Sequence, residues 1–302
     1  MIYAVIDIGS NTVRLSVYKV LGEKVVNLFN EKEQASLRSF VDNGVVSEKG
    51  IQRLISVLRK FKNVVDNFGD IDEVHPFATA TIRDAVNRVE ILSRVKEELD
   101  MDIEILSGED EASLAFIGAS SSVEVSRGVL TDIGGGSSEV VIIDQNKVIK
   151  STSLSIGSLS AFNDYVDQLF MTRDEKKNID SQIKKLLDNN KIYREEHDLL
   201  CAVGGSARAS LKFYNDYYNL ASYNTTMQAD KFNSMLKDVI DKEPRVILDS
   251  ILAVKPDRIH TLLPGMAILN RIAKYFYCKE ISISQTGVRE GYVYSKLLGR
   301  ND

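Results

Sequence analysis

The sequence predicts an α/β protein built from two related halves. Three observations carry this. Strand-like and helix-like patterns intermix along all 302 residues, and that length suits two ordinary domains with buried cores. A strand–turn–strand segment also recurs at a shift of 125 positions, which places a matching hairpin at the start of each half.

Taken in order, "IYAVIDIGSNTVRLSVYKV" from residue 2 reads as two strands around a Gly-Ser-Asn-Thr turn. From Ser47 to Phe68, the residues Ile51, Leu54, Ile55, Leu58, Phe61, Val65 and Phe68 form the stripe of an amphipathic helix. "EVHPFAT" reads as a strand, "RDAVNRVEILSRVKEEL" as one helix, "DIEIL" as another strand, and "SGEDEASLAFIGASS" opens on a helix signal. "RGVLTDIGGGSSEVVIID" repeats the opening hairpin, and helices follow over about 159–170 and 172–189. "LLCAVGGSARAS" reads as strand, glycine turn and helix start. Residues 211–250 are polar and mostly helical, and the end runs through "EISIS" to "GVREGYVYSKLLG".

Composition narrows the function classes. The formal net charge of −5 argues against a chain that binds nucleic acid through overall electrostatics. Cys201 and Cys278 are far apart, with no CxxC pair, and read as two reduced thiols. No basic leader precedes "IYAVID" and no run of 18 apolar residues occurs, so a cytoplasmic protein with no membrane partner is expected. His75, His197 and His260 are scattered without metal-ligand spacing.

The segment "TDIGGGSSEV" at 131–140 reads either as a hairpin turn or as a cradle for phosphate. The repeat favours the cradle. "VIDIGSNTVRLSVY" lies on "LTDIGGGSSEVVII", with Asp7 on Asp132, Gly9 on Gly134, Thr12 on Ser137 and Arg14 on Glu139. Glycines let backbone N–H groups approach phosphate oxygens, and Ser or Asn side chains add neutral donors. An Asp ending the strand before each turn suits magnesium, which takes few carboxylates and keeps several waters. No GxxxxGK[ST] or GxGxxG is present. The Gly204-Gly205-Ser206 turn is a third, weaker candidate.

In "SGEDEA", Ser107 reads as an N-cap and Asp110 as its capping-box partner. Glu111 is not covered by that reading. Leu114, Ala115 and Gly118 share its helical face, so its carboxylate is either buried at a cost or turned to a site, where it suits a base that deprotonates water. Arg83, at a strand–helix junction, reads equally as a salt bridge to a local acid or as a bidentate phosphate contact.

Together these motifs resemble the Ppx/GppA phosphatases. The resemblance runs through "DIGSNTVRL", "ATATIRDAVN", "ILSGEDEASLAFIGA", "DIGGGSSEVV", "LSIGSLS", "VGGSARA", "PGMAIL" and "GVREGYVY". It implies two RNase H-like domains of the actin/Hsp70/sugar-kinase superfamily with an interdomain cleft. These would span residues 1–120 and 121–302, with the last helix near 288–299 packing back on the first domain and no HD-type C-terminal extension. It also implies an exopolyphosphatase that cleaves the terminal phosphoanhydride of inorganic polyphosphate with Mg2+ or Mn2+, or a phosphohydrolase of guanosine pentaphosphate (pppGpp). By this likeness Glu111 is the catalytic base and Asp7, Asp132 and Glu139 are the metal-associated acids. Ser10, Asn11, Arg83, Asn87, Gly134, Gly135, Gly136, Ser137, Gly204, Gly205 and Ser206 would contact phosphate. His260 stands where relatives often carry Asp, which leaves the setting of Arg258 open. The resemblance leaves room for a homodimer. A kinase of the same superfamily and a non-catalytic phosphate or nucleotide sensor are the rival readings.

Overall fold

The computed structural model describes residues 1–22 and 24–299. They form two compact units, Met1–Glu111 with Lys296–Leu298, and Ala112–Ser295 with Gly299.

The first unit begins with β1 (Ile2–Ile8), β2 (Thr12–Leu21) and β3 (Lys24–Gln34), followed by a minimal hairpin, β4 (Val41–Asp42) and β5 (Val45–Val46). Then come α1 (Glu48–Phe68), β6 (Glu73–Ala78), α2 (Ala80–Arg83), α3 (Arg88–Leu99) and β7 (Glu104–Ile105). The main sheet has the order β3-β2-β1-β6-β7, with β2 antiparallel to both neighbours and β1, β6 and β7 parallel. Alternate residues of β1, namely Ala4, Ile6 and Ile8, face a core shared with Leu54, Leu58 and Phe61 of α1 and with Ile91 and Val95 of α3. The apolar stripe of α1 sits as its spacing predicts, and Ser47 caps the helix by accepting from Gly50 N–H. At the far end of the chain, Lys296 Nζ lies 3.2 Å from Glu104 Oε1.

The second unit continues α4 (Gly108–Ser120) into β8 (Gly128–Ile133), β9 (Ser138–Asp144), β10 (Lys147–Leu154), α5 (Ser158–Tyr165) and α6 (Arg173–Asn189). It proceeds through β11 (Leu199–Val203), α7 (Gly204–Tyr217), β12 (Thr226–Gln228), α8 (Ala229–Ile240), α9 (Pro244–Val254), α10 (Leu262–Tyr275) and β13 (Glu280–Ile283). It closes with α11 (Val288–Tyr292), and a wide helical turn over Val293–Leu297 follows, of which Lys296 and Leu297 belong to the first unit. The sheet order β10-β9-β8-β11-β13-β12 repeats the first sheet, strand for strand and direction for direction, with β12 added at the edge. The two sheets are those of the expected pair of RNase H-like domains.

Both faces of the second sheet are covered, which explains its continuous apolar strands. Along β11, Leu200 and Ala202 enter the core of α6, α7 and α10, whereas Cys201 and Val203 enter a smaller core with Ala112, Ala115 and Phe116 of α4. The stripe of small residues on α4 has a packing cause. A Cβ on Gly118 would lie 2.0 Å from Gly287 O, and one on Gly291 would lie 1.8 Å from Leu114 O, so backbone meets backbone between α4 and α11.

Three local expectations change. The helix expected over 83–99 is broken at 84–87, where the β4–β5 hairpin takes one backbone donor: Val86 N–H bonds to Gly44 O at 2.8 Å. The helix expected to reach about residue 170 ends at Tyr165. β3 has no counterpart among the expected strands. It lies at the sheet edge, and most of its side chains are exposed or half-buried, so it carries little apolar alternation.

Candidate active site

Each half brings its glycine turn to the same place in its sheet. In the first, β1 and β2 pair Asp7 with Arg14, and Gly9 N–H closes the turn on Thr12 O at 3.2 Å. In the second, β8 and β9 pair Asp132 with Glu139, and Gly134 N–H closes on Ser137 O at 3.0 Å. The 125-residue repeat is therefore a repeat of hydrogen-bond register as well as of sequence.

The second turn is braced from behind by α5. Ser158 N–H donates to Gly134 O, and Leu159 and Ser160 N–H both donate to Gly135 O, each at 2.9 Å. Ser158 Oγ also donates to Gly134 O at 3.1 Å, and Gly157 N–H is held by Ser160 Oγ at 2.8 Å. The first turn of α5 thus spends its orphan donors on the carbonyls of the glycine turn. With those carbonyls drawn to one side, the N–H groups of Gly135 and Gly136 have no partner among the described residues. Such an unpaired run of backbone donors is the usual chemistry of a phosphate cradle.

The third turn lies beside Asp132. Gly204 has φ +85°, and a Cβ there would sit 2.2 Å from Asp132 Oδ1, so only glycine leaves room for that carboxylate. Ser206 starts α7 nearly buried, with its Oγ 3.4 Å from Ser158 Oγ and receiving an N–H of Arg258 at 3.3 Å. Arg258 is thus placed on Ser206. His260 packs edge-on against Phe162, and burial followed by the Arg258 charge pushes its pKa down.

The strand alternation puts Asp132 and Glu139 on the sheet face that carries Leu130 and Val141, the face α4 covers. Glu139 is fully buried, and its Oε1 accepts from Ser153 Oγ at 2.8 Å. Among the described residues no three His, Cys, Asp or Glu side chains gather into a cage. A magnesium ion needs no such cage, since it is held by one or two carboxylates with waters and substrate phosphates. The hard oxygens of Asp132, for whose carboxylate Gly204 leaves room, fit that mode of binding.

In the first unit, Glu111 occupies the first turn of α4, whose start is fixed as read: Asp110 N–H bonds to Ser107 Oγ at 3.0 Å, and Ser107 Oγ bonds back to Asp110 Oδ2 at 2.7 Å. Glu111 is only 8% exposed. Arg83 Nη1 bonds both Glu111 Oε2 at 3.2 Å and Leu106 O at 3.3 Å, while its Nε bonds Asp84 at 3.1 Å. Burial lowers the Arg83 pKa, but the Asp84 and Glu111 carboxylates outweigh that and raise it. The salt-bridge reading of Arg83 is thus realised, with the candidate base itself as the partner.

Ser10 and Asn11 are buried, and their carbonyls accept from Arg38 N–H at 3.0 Å and from Ala35 and Ser36 N–H at 3.0 and 2.8 Å. Asn87 stands apart. Its amide oxygen accepts from Val46 N–H and its Nδ2 donates to Val46 O, both at 3.0 Å, so the side chain clamps the β4–β5 hairpin. The residues that sequence reasoning passed over are Gly157, Ser158 and Ser160. Their signal was present in "LSIGSLS", but the partners they brace are more than twenty positions away.

A sequence model of the Ppx/GppA phosphatase family matches residues 16–300. A Haemophilus influenzae protein provisionally assigned as an exopolyphosphatase is 27% identical over 295 residues, covering 97% of this chain and 90% of its own. A guanosine-5'-triphosphate,3'-diphosphate pyrophosphatase of Aeromonas hydrophila is 25% identical over 99% of this chain, which spans 60% of that longer relative. Among solved structures, the Ppx/GppA family member of Aquifex aeolicus superposes with a TM-score of 0.81 at 26% identity, covering 100% of this chain and 99% of that one. An exopolyphosphatase of Cytophaga hutchinsonii, at 22% identity and TM-score 0.86 over 99% and 98% of the two chains, shares the fold. The chain belongs to the Ppx/GppA phosphatase family and is, by that membership, a hydrolase of phosphoric anhydrides.

Proposed function

We propose that this protein is an exopolyphosphatase that hydrolyses the terminal phosphoanhydride of inorganic polyphosphate. The observation that carries this is the braced glycine turn. Its carbonyls are tied to α5 while the N–H groups of Gly135 and Gly136 remain unpaired, which suits a chain of phosphates better than a single carbon-bound group. The Haemophilus relative, of nearly the same length, supports that substrate.

In this reading Glu111 accepts the proton of the attacking water, and the Arg83 guanidinium fixes its carboxylate in place until a phosphate competes for that guanidinium. Gly134, Gly135, Gly136 and Ser137 receive phosphate oxygens. Ser10 and Asn11 of the first unit, and Gly205 and Ser206 of the second, would each contact phosphate, and Asn87 acts through its hold on Val46. Asp132, with Asp7 and Glu139, would hold Mg2+ or Mn2+. When bound, the ion would offset charge developing on the transferred phosphoryl oxygens. Because the Aeromonas relative is named for a guanosine polyphosphate and matches 99% of this chain, pppGpp is the alternative substrate.

The test is phosphate release from polyphosphate and from pppGpp, with added magnesium, by the native chain and by Glu111→Gln. Loss of about 100-fold or more in kcat, with binding retained, is expected for removal of the base. Full turnover by Glu111→Gln would sink the mechanism, and release from pppGpp alone would reassign the substrate.

A further inference from the structure

One register row of the second sheet crosses Asp132 on β8, Glu139 on β9 and Ser153 on β10. Cross-strand partners in such a row point to one face, close enough for their side chains to bond. Leu154 enters the core shared with α6, so its neighbour Ser153 faces the other way, as Asp132 and Glu139 do. There Ser153 Oγ donates to Glu139 Oε1 at 2.8 Å, and Thr131 Oγ1 donates to the Glu139 carbonyl at 2.9 Å. The carboxylate and the backbone of this fully buried residue are thus both held.

A buried carboxylate is costly unless it is hydrogen-bonded and balanced by a cation. A serine hydroxyl meets the first need and, being neutral, leaves the charge for the second. The first sheet shows the alternative. At the same three positions of its row stand Asp7, Arg14 and Lys32. That row sets two cations beside its acid, whereas the second sets two acids beside a neutral donor. The halves share one backbone plan and differ in the sign of their charge. Carboxylates directly opposite each other repel, and a divalent cation between hard oxygens removes that repulsion.

We propose that Ser153 is a positioning residue for the divalent ion: its hydroxyl fixes the Glu139 carboxylate in the orientation that receives Mg2+ or Mn2+. This rests on the reading of Asp132 and Glu139 as metal-holding acids, and adds to it the residue that sets one of them. A hydroxyl at 153, where the other half carries an ammonium, orients the carboxylate without neutralising it. Outer hydrogen bonds of this kind commonly hold metal-binding carboxylates, and their loss costs about 10- to 100-fold in metal affinity.

The experiment reads the ion directly. Mn2+ is titrated into the native chain, Ser153→Ala, Ser153→Thr and Ser153→Val without substrate, and binding is followed by loss of the free-ion electron paramagnetic resonance signal. Ser153→Ala should bind Mn2+ about 10- to 100-fold more weakly. Ser153→Thr, which keeps the hydroxyl and suits a strand, should bind as the native chain does. In phosphate release, Ser153→Ala should need more Mg2+ for half-maximal rate, with kcat at saturating ion little changed. Should Ser153→Ala not fold, the Thr and Val variants, alike in shape and differing in the hydroxyl, carry the test. Native affinity in Ser153→Ala overturns the role of the hydroxyl, as does equal weakening in Ser153→Thr, which marks lost packing instead. Failure of the native chain to bind Mn2+ at all overturns the metal reading beneath the proposal, and the proposal with it.

Discussion

Gly157→Ala isolates the brace behind the glycine turn. At φ −132° and ψ −179° the position is ordinary extended backbone, so alanine brings no conformational strain of its own. What it brings is a methyl group 2.5 Å from Gly135 C, 2.6 Å from Gly135 O and 2.7 Å from Gly134 O. Such contacts need about 1 Å more room, and the obstacle is backbone, which cannot rotate aside as a side chain can. Opening the gap pulls on the three N–H bonds from Ser158, Leu159 and Ser160. At about 1 kcal/mol each, their loss costs about 3 kcal/mol, which lowers Tm by roughly 6–12 °C for a domain of this size. Displacing the unpaired Gly135 and Gly136 donors, proposed to hold phosphate, by about 1 Å should lower kcat/KM by about 100-fold. Differential scanning calorimetry and phosphate release from tripolyphosphate measure the two effects. Ser158→Ala, which removes one side-chain bond and adds no bulk, should show a mild version of both. If Gly157→Ala keeps native kcat/KM, the α5 contacts do not hold the turn in its working geometry.

Three further outcomes follow from the same physics. Asn87→Ala should lower stability by about 1–3 kcal/mol through the two lost Val46 bonds, with KM for polyphosphate little changed; a large rise in KM with unchanged Tm would instead place Asn87 on phosphate. His197 is buried against Phe276, and its pKa is lowered mainly by burial, with Glu195 opposing. The unfolded imidazole takes up a proton below its ordinary 6.5 while the folded one does not, so stability present above pH 6.5 is lost as pH falls. Urea midpoints at pH 7.5 and 5.5 should therefore fall less in His197→Phe than in the native chain, and equal falls would refute this. Cys201 and Cys278 are buried, with burial pushing both thiols up to about 12, so neither should react with a disulfide reagent at pH 8 until the chain is unfolded.

The sequence alone determined the parts of this protein that are local or periodic. The α1 stripe, the Ser107–Asp110 capping box and the paired Asp-x-Gly turns depend on residues three to seven positions apart, where backbone geometry leaves few alternatives. The 125-residue repeat was legible because both halves solve one problem, a tight turn that ends a strand on a carboxylate. Only the tertiary structure decided what those parts meet. Edge strand β3 left little trace in sequence because its side chains face solvent and its pairing is made by backbone. The break at 84–87 depends on a hairpin forty residues earlier, and the pairing of Arg83 with Glu111 joins positions 28 apart. The brace of α5 on Gly134 and Gly135 rests mainly on contacts between backbones, and the space that Gly204 leaves is filled by the Asp132 carboxylate from a strand more than seventy positions earlier. A sequence can announce that a glycine is needed, but only the fold supplies the neighbour that excludes every larger residue.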